Sequence, residues 1–465
     1  MVFSGLTFLL LFLPALLILY FLSRDLRWRN GVLVIFSLVF YAWGEPVMVL
    51  LLLATTLFNY LVALAMDKAA GPRGKKLCLI LGVAGSLAGL LYFKYAGFFL
   101  SNLGRLLGVQ IPFAAPRLPI GISFYTFQIL TYTVDVYRGK TAVQKNFFRL
   151  LLYVSCFPQL IAGPIVQYAD VAAALEERTT TLEDFGDGMR RFLLGLGKKV
   201  LLANTCGSFL LAVLPAGTAP QSIGGAWLSG ALYSLQLYFD FSAYSDMAIG
   251  LGRVLGFTYK ENFLYPYCSA SPTDFWRRWH ISLGSFFRDY VYIPLGGSRK
   301  GKGRRMLNLL IVWALTGLWH GAAWNFVLWG LYWFLLLVID KDLDRLWQKV
   351  PRFLRWLFTL LAAVVGWTIF YYTDTPALFA HLQALFGVGG LPWTDPASAA
   401  ALRQYALFLP LVCLAAAPLV PRLKKLAEGR PALAVLGTVF AVAVGLLSLL
   451  FLIRQSYNPF IYFRF

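Results

Sequence analysis

Apolar runs of about 20 residues recur along the whole chain, and they constrain its fold more than any other feature. A helix of this length crosses the hydrocarbon core of a bilayer and satisfies its backbone hydrogen bonds without water. Only 13% of the 465 residues are charged and 59% are hydrophobic, whereas average globular domains have about 25% charged residues. Because no polar stretch is long enough for a soluble domain, the sequence predicts an all-α polytopic integral membrane protein with a single domain, residues 1–465.

The net charge of +20 lies in short loops between the apolar runs. Positive charge is typical of cytoplasmic loops in membrane proteins, so we expect contact with membrane lipids and no nucleic-acid partner. The first run, residues 8–22, has no basic residue before it and no small-residue cleavage site after it, which favours an uncleaved span. We place seven basic loops inside and predict about 10–12 transmembrane helices; the loops are residues 24–29, 68–76, 138–149, 190–199, 299–305, 345–355 and 422–430.

Two segments do not fit simple spanning helices. Residues 111–137 contain three prolines and a glycine before a helical pattern, and residues 157–165, FPQLIAGPI, repeat that composition. Broken backbone persists at membrane depth only where protein or water covers it. These segments therefore predict broken or re-entrant helices beside a cavity. No repeat of fixed period is present, so the inverted repeats of many transporters are not indicated.

One of the three histidines lies in residues 271–297, SPTDFWRRWHISLGSFFRDYVYIPLGG. Pro272 and Asp274 are typical of a helix start, and a pairing of Asp274 with Arg277 or Arg278 is expected at helical spacing. Continuous helical spacing would place four side chains on one face: Trp276, His280, Gly284 and Phe287. Arginine is expensive at membrane depth, so we expect Arg277 at the interface or in a wet funnel.

A second histidine lies in residues 316–333, TGLWHGAAWNFVLWGLYW. Gly317 and Gly321 have the spacing that lets two membrane helices approach closely. His320 lies beside this predicted seam, and helical spacing brings Trp324 and Asn325 toward its imidazole. Polar residues in a membrane usually face the bundle interior or a cavity, so we predict that His320 does not face lipid.

The histidines have a structural and a chemical interpretation. A neutral imidazole can simply hydrogen-bond across helices, and His381 follows an outer turn in an amphipathic run typical of an interfacial residue. Alternatively, an imidazole can take a proton from a hydroxyl group as the hydroxyl oxygen attacks an acyl group, which accelerates a reaction by about 10²–10⁴-fold.

Hydrolase, zinc-protease, nucleotide-phosphate and dinucleotide motifs are absent, and the five cysteines suggest neither disulfides nor a metal site. Cys268 is best interpreted as inert packing.

Several long motifs resemble the membrane-bound O-acyltransferase superfamily, in the bacterial branch with the alginate O-acetylation membrane subunit, related to the subunit that D-alanylates teichoic acids. The strongest are FWRRWHISLGSFFRDYVYIPLGG, residues 275–297, and LTGLWHGAAWNFVLWGLYW, residues 315–333. Further matches are residues 119–128, 157–165, 195–204, 237–252 and the tail YNPFIYFRF, residues 457–465. One departure is Ala243, where glycine is expected in this branch.

The resemblance implies a ring of about 10–12 transmembrane helices around a central funnel or tunnel. The histidine-bearing core would span residues 117–340, with peripheral helices in residues 1–110 and 355–465. It assigns His320 as the catalytic histidine and His280 as the second active-site position. From the residues themselves we add four weaker candidates for lining the funnel and binding substrate: Trp276, Arg277, Trp319 and Asn325.

The predicted function is an O-acyltransferase of the bacterial inner membrane. It would move an acetyl group from a cytoplasmic thioester such as acetyl-CoA to an extracytoplasmic polysaccharide, with an SGNH-like outer partner protein and no tightly bound cofactor or metal. Three alternatives stay open: D-alanyl transfer from a carrier protein to teichoic acid, a proton-coupled transporter or flippase, and a scaffold for an outer enzyme.

Overall fold

In the computed structural model, residues 1–454 and 461 are described, and these residues form helices joined by turns and extended segments. The chain divides into two compact units. The first contains Met1–Phe192 and Tyr244–Lys260, and the second contains Leu193–Ala243 and the chain from Glu261 onward. The helices up to residue 254 are α1 Phe8–Phe21, α2 Leu26–Ala42, α3 Met48–Lys68, α4 Gly71–Leu107, α5 Ile122–Tyr137, α6 Phe147–Ser155, α7 Phe157–Leu160, α8 Tyr168–Glu176, α9 Leu182–Val213 and α10 Ile223–Val254.

The remaining helices all belong to the second unit, which therefore carries all three histidines. They are α11 Pro272–Arg278, α12 Ile281–Phe287, α13 Gly301–His320, α14 Trp324–Asp342, α15 Asp344–Trp347, α16 Arg352–Tyr371, α17 Thr375–Leu385, α18 Pro396–Gln404, α19 Phe408–Ala415, α20 Leu419–Ala427 and α21 Pro431–Arg454. The tail motif at residues 457–465 lies outside the described residues, apart from Ile461.

The all-α membrane architecture predicted from the sequence is confirmed. Within residues 1–454 and 461, six helices are long and apolar enough to cross a membrane, or seven if the bent pair α18 and α19 forms one span. This number is lower than the predicted 10–12, because several apolar runs form helices of fewer than 18 residues. Helix α5 has 16 residues and α11 and α12 have seven each.

The two broken segments are confirmed in the first unit. Residues 109–119 are not helical, Gly121 has φ +76°, and α5 begins directly after it. The segment around α7 is equally irregular, and residues 150–166 are all buried. Because a side chain is strained at positive φ, Gly121 allows the turn into α5. Protein covers the segment around α7, as expected for backbone that leaves the helical hydrogen-bond ladder, whereas residues 109–119 are largely exposed and only Pro119 among them is buried.

Side-chain caps explain why several helices begin where they do. Ser271 accepts a hydrogen bond from the backbone N–H of Asp274 at the start of α11, and the helix start predicted from Pro272 and Asp274 is confirmed. Asp395 caps α18 through Ser398 and also accepts a hydrogen bond from Ser222 at 2.5 Å. Partial burial opposes ionisation of Asp395, but these hydrogen bonds outweigh it and lower the pKa of its carboxyl group. The ionised carboxylate therefore stabilises this end of the second unit.

The second unit contains a buried ion pair between α9 and α10. The ammonium of Lys199 lies 2.6 Å from the carboxylate of Asp240, and each side chain is 2% exposed. Lys199 belongs to a π-helical turn, Lys198–Ala203, and Asp240 also accepts a hydrogen bond from the backbone N–H of Ile461 at 2.9 Å. A buried charge is tolerated only when it is paired and hydrogen-bonded, so this pair fixes α9 to α10.

Candidate functional site

His280 lies at a sharp break between α11 and α12. Its backbone has φ +46° and ψ +53°, a left-handed conformation that is uncommon outside glycine and asparagine. The prediction of one continuous helical face through Trp276, His280, Gly284 and Phe287 is therefore wrong. The physical reason is tertiary: Ile281 donates to the carbonyl of Asn262 at 3.0 Å, and this contact holds the turn against its helical preference.

Asn262 also orients the His280 ring. Its Oδ1 lies 3.3 Å from His280 Nδ1 and accepts hydrogen bonds from the backbone N–H and the hydroxyl of Ser282, at 3.1 and 2.9 Å. Because Oδ1 is an acceptor, Nδ1 carries the ring proton, and Nε2 is left with a lone pair. Nε2 is buried, and no residue in the described part of the chain donates to it. His280 therefore presents an acceptor nitrogen that a hydroxyl group could use.

Aromatic rings surround His280, which is 1% exposed. The ring of Phe241 packs edge-on at 4.6 Å between centroids, and the ring of Trp319 lies at 5.6 Å. Trp319 also lies 5.0 Å from the ring of His320. The same indole therefore contacts both candidate histidines and brings them into one site.

His320 is positioned by a close pair of helices, α13 and α14. A Cβ atom at Gly317 would collide with the carbonyl oxygen of Phe326, and one at Gly330 would collide with the carbonyl oxygen of Trp313. A Cβ atom at Gly321 would overlap the ring of Phe326. The predicted close approach at Gly317 and Gly321 is confirmed, and its partner is the glycine at position 330.

His320 is the last residue of α13, and its side chain is 6% exposed. The rings of Trp329 and Phe370 pack against its imidazole edge-on, at 5.0 and 5.1 Å between centroids. The prediction that His320 points into the protein is confirmed. The chain leaves the helix at Gly321, however, so helical spacing does not relate His320 to Trp324, whose side chain is 52% exposed.

A tryptophan cluster extends from His320. We define it as five indoles whose rings contact one another at 4.7–6.5 Å between centroids: Trp276, Trp313, Trp329, Trp333 and Trp367. Trp276, on the short helix α11, contacts the indole of Trp329, and that indole contacts the imidazole of His320. The structure brings this predicted residue to the site through packing that no local spacing specifies.

The other two predicted lining residues differ in position. The amide of Asn325 donates to the backbone carbonyl of Phe370 at 3.1 Å, so it fixes the ring that packs on His320. Arg277 is exposed, and the structure does not bring it into the tryptophan cluster. Its neighbour Arg278 pairs with Asp274 at 2.9 Å, which confirms the ion pair expected at helical spacing.

His381 is not interfacial, and that interpretation of the sequence is wrong. It is 2% exposed, Tyr372 donates to its Nδ1 at 2.8 Å, and its Nε2 donates to the carbonyl of Ala226 at 3.1 Å. Burial lowers the pKa of His381 to about 4, although the bond to Ala226 opposes this shift. A small cavity beside it is also lined by Tyr233 and Thr368, but not by His280 or His320.

Cys268 shows no sign of an activated nucleophile. Partial burial raises the pKa of its thiol, so the reactive thiolate is disfavoured. The inert role expected from the sequence is consistent with this environment. The funnel to His320 implied by the resemblance stays a prediction.

Sequence reasoning missed Asn262, Trp329 and Phe370, although all three shape the site. Asn262 lies 18 residues before His280 in a non-helical segment, so no periodicity links the two. Phe370 comes from α16, 50 positions beyond His320. The one available signal was Trp329, which lies with Trp333 in the tryptophan-rich stretch that includes His320.

Comparison with known proteins identifies the family. A model described as MBOAT, membrane-bound O-acyltransferase family, matches residues 134–379. The chain is 40% identical to the probable alginate O-acetylase AlgI of Pseudomonas putida, and the alignment covers 100% of both chains. It is 33% identical to the peptidoglycan O-acetyltransferase of Helicobacter pylori, over 83% of this chain and 79% of that protein.

A more distant similarity connects the chain to another branch. It is 30% identical to the teichoic acid D-alanyltransferase of Bacillus subtilis, over 57% of this chain and 71% of that protein. The matched residues include His280 and His320. They also include the three aromatic residues whose rings contact His320, which are Trp319, Trp329 and Phe370. With its apolar helices, the chain is a multi-pass membrane O-acyltransferase that belongs to the membrane-bound O-acyltransferase family.

Proposed function

We propose that this enzyme moves an acetyl group from acetyl-CoA or another cytoplasmic thioester to an extracytoplasmic polysaccharide. The observation that carries the proposal is the 40% identity to an alginate O-acetylase over the full length of both chains. The peptidoglycan O-acetyltransferase adds support, because its name denotes transfer of the same group to another glycan. An alginate-like polymer or another cell-surface glycan is the acceptor class.

His320 acts as the general base in this proposal. The acceptor hydroxyl gives its proton to the imidazole while its oxygen attacks the carbonyl carbon of the thioester. The tetrahedral intermediate then collapses, the carbon–sulfur bond breaks, and the thiolate takes the proton from the imidazolium. Proton transfer of this kind contributes about 10²–10⁴-fold. The apolar surroundings of His320 strengthen it, because water does not compete for the proton.

His280 orients the acceptor. Its Nε2 is a buried acceptor nitrogen, and the hydrogen bond that its Nδ1 donates to Oδ1 of Asn262 fixes the ring. Trp276, Trp319 and Asn325 line or support the reacting centre, while Arg277, which is exposed, attracts the anionic part of the donor.

The proposed location is the bacterial cytoplasmic membrane, with the basic loops inside. The three outer turns that we predict, residues 44–46, 215–222 and 390–398, are too short to hold a polysaccharide-binding domain. An SGNH-like outer protein therefore completes delivery to the polymer. Donor thioester and acceptor polymer are substrates, and no tightly bound cofactor takes part.

The test measures acetyl transfer in membranes that contain the wild-type chain or a histidine variant. Acetyl-CoA labelled in the acetyl group is supplied on the cytoplasmic side, and label in extracytoplasmic polysaccharide is counted. His320→Gln is expected to keep the fold and to lower transfer by about 10²–10⁴-fold. His381→Gln is the matched control, because His381 is equally buried but lies outside the aromatic site.

Thermal unfolding of the purified variants separates loss of chemistry from loss of fold. Full transfer by His320→Gln would defeat the assignment of the base. It would instead favour a scaffold, in which both histidines are dispensable. Flux of the acetyl group by the wild-type chain without covalent transfer would favour a transporter.

D-alanyl transfer is the second candidate, because the chain resembles a teichoic acid D-alanyltransferase over 57% of its length. We favour acetyl transfer, since the alginate relative matches the whole chain at higher identity. The same membranes supplied with D-alanyl carrier protein discriminate the two. Incorporation of D-alanine, with none of acetate, would overturn our choice of cargo.

A further inference from the structure

Four indole N–H groups of the tryptophan cluster are buried without a hydrogen-bond acceptor in residues 1–454 and 461. They belong to Trp276, Trp329, Trp333 and Trp367. Buried tryptophan usually gives its N–H to a partner, and an unsatisfied buried donor costs about 1–3 kcal/mol. Where such a donor borders a reacting centre, a reactant can supply the missing acceptor.

Trp329 is the member of this group that borders the proposed reacting centre. Its side chain is fully buried, and its ring lies edge-on to the imidazole of His320 at 5.0 Å between centroids. Trp276 lies behind it, with its ring 5.4 Å from that of Trp329. Trp333 lies one helical turn further along α14 and contacts Trp276 and Trp313. Among these four donors, the N–H of Trp329 is the one carried by a ring in contact with His320.

The reaction that we propose needs a donor at this place. When the acceptor oxygen attacks the thioester, the carbonyl oxygen becomes a negatively charged oxyanion. In a site from which water is excluded, a fixed hydrogen-bond donor is the main way to stabilise that charge. Removing one such donor from an enzyme typically lowers kcat by about 10²–10³-fold.

We infer that the Nε1–H of Trp329 donates a hydrogen bond to this oxyanion, which makes Trp329 a catalytic residue. The inference rests on the proposed function, because it requires acyl transfer at His320. In the step, the hydroxyl proton passes to His320, the new carbon–oxygen bond forms, and the carbonyl electron pair moves to the oxygen held by Trp329. As the intermediate collapses, that pair re-forms the carbonyl, the carbon–sulfur bond breaks, and the imidazolium protonates the leaving thiolate.

Two neighbouring donors are already occupied. The amide of Asn325 donates to the carbonyl of Phe370. The backbone N–H of Gly321 donates to the carbonyl of Gly317 at 3.4 Å. Trp329 thus supplies an N–H that the fold itself does not consume, on a ring fixed by contacts with Trp367 and Phe370 at 5.8 and 5.3 Å.

The decisive comparison is Trp329→Phe with Trp333→Phe. Both tryptophans are fully buried, both lie on α14, and both have an N–H without an acceptor among the described residues. Each change removes one indole ring system and one N–H, so their structural costs are matched. We expect Trp329→Phe to lower kcat for acetyl transfer by about 10²–10³-fold with little change in KM, and Trp333→Phe to stay within a few-fold of wild type.

A second variant removes the N–H without removing the bicyclic ring. Incorporation of 3-benzothienylalanine at position 329 replaces the N–H by sulfur and preserves the packing against His320. This variant is expected to unfold at the wild-type temperature and to show the same loss of kcat. Wild-type kcat in it, or equal effects of the two phenylalanine variants, would overturn the inference.

These outcomes are distinct from failure of the proposed function. If wild-type membranes transfer acetyl groups and His320→Gln does not, the proposed function stands whatever the tryptophan variants do. If His320→Gln retains full transfer, the proposed base is lost, and the inference about Trp329 is overturned with it.

Discussion

Replacing Gly317 with alanine is expected to weaken the helix pair that carries His320. The new methyl group would collide with the carbonyl oxygen of Phe326 and lie 3.1 Å from its carbonyl carbon. Both are backbone atoms, so no side-chain rotation can relieve the contact. Overpacking of this kind costs about 1–3 kcal/mol, whereas the change from glycine to alanine by itself favours a helix by about 1 kcal/mol.

Gly437→Ala provides the matched control. Gly437 is a mid-helix residue of α21, in the same unit as Gly317, and a Cβ atom there meets nothing within 4 Å. Because the gain in helix propensity is the same in both variants, the difference between them isolates the collision. We expect Gly317→Ala to have a free energy of unfolding about 1–3 kcal/mol below that of Gly437→Ala.

The assay is reversible unfolding of purified protein by dodecyl sulfate in maltoside micelles. Acetyl transfer is measured in parallel, because His320 ends the same helix only three residues later and a displacement of about 1 Å can lower a rate by about 10²-fold. Equal stability of the two variants would refute the close backbone contact and the packing argument for His320 that depends on it.

Two further predictions concern charged side chains of the second unit. Lys199→Met leaves the carboxylate of Asp240 buried without its partner and should lower the free energy of unfolding by about 3–5 kcal/mol. In the same micelle assay, the double variant Lys199→Met with Asp240→Leu should recover most of the lost stability. A single variant as stable as wild type would contradict the ion pair. The pKa of Asp395 is lowered in the folded state, so its contribution to stability is present above its unfolded pKa of about 3.9 and is lost as the pH falls through the folded value. Asp395→Ala should therefore be less stable than wild type at pH 7, with a gap in the free energy of unfolding that closes as the pH falls below the unfolded pKa. A gap independent of pH would contradict this.

Much of the site was predictable where a local rule applies. The start of α11 at Pro272, the ion pair of Asp274 and the close approach at Gly317 each depend on residues a few positions apart, whose geometry a helix fixes. The burial of His320 followed from the cost of a polar group in lipid. Where the helix breaks, the local rules failed, as at His280 and beyond Gly321.

The long-range partners of the histidines could not be predicted in this way. Asn262, Trp329 and Phe370 reach the site from an extended segment and two different helices, and helical periodicity carries no information about which helices pack together. His381 was misjudged for the same reason, because its amphipathic surroundings do not reveal the partners that Tyr372 and Ala226 supply.

The sequence by itself determined the class of the protein and the residues available for chemistry, because lipid admits few backbone structures and only three histidines exist in the chain. Only the tertiary structure decided how those residues are used. The left-handed turn at His280, the shared contact with Trp319 and the indole N–H of Trp329, which has no acceptor among the described residues, all arise from packing between segments far apart in the chain, where non-local contacts outweigh local preference.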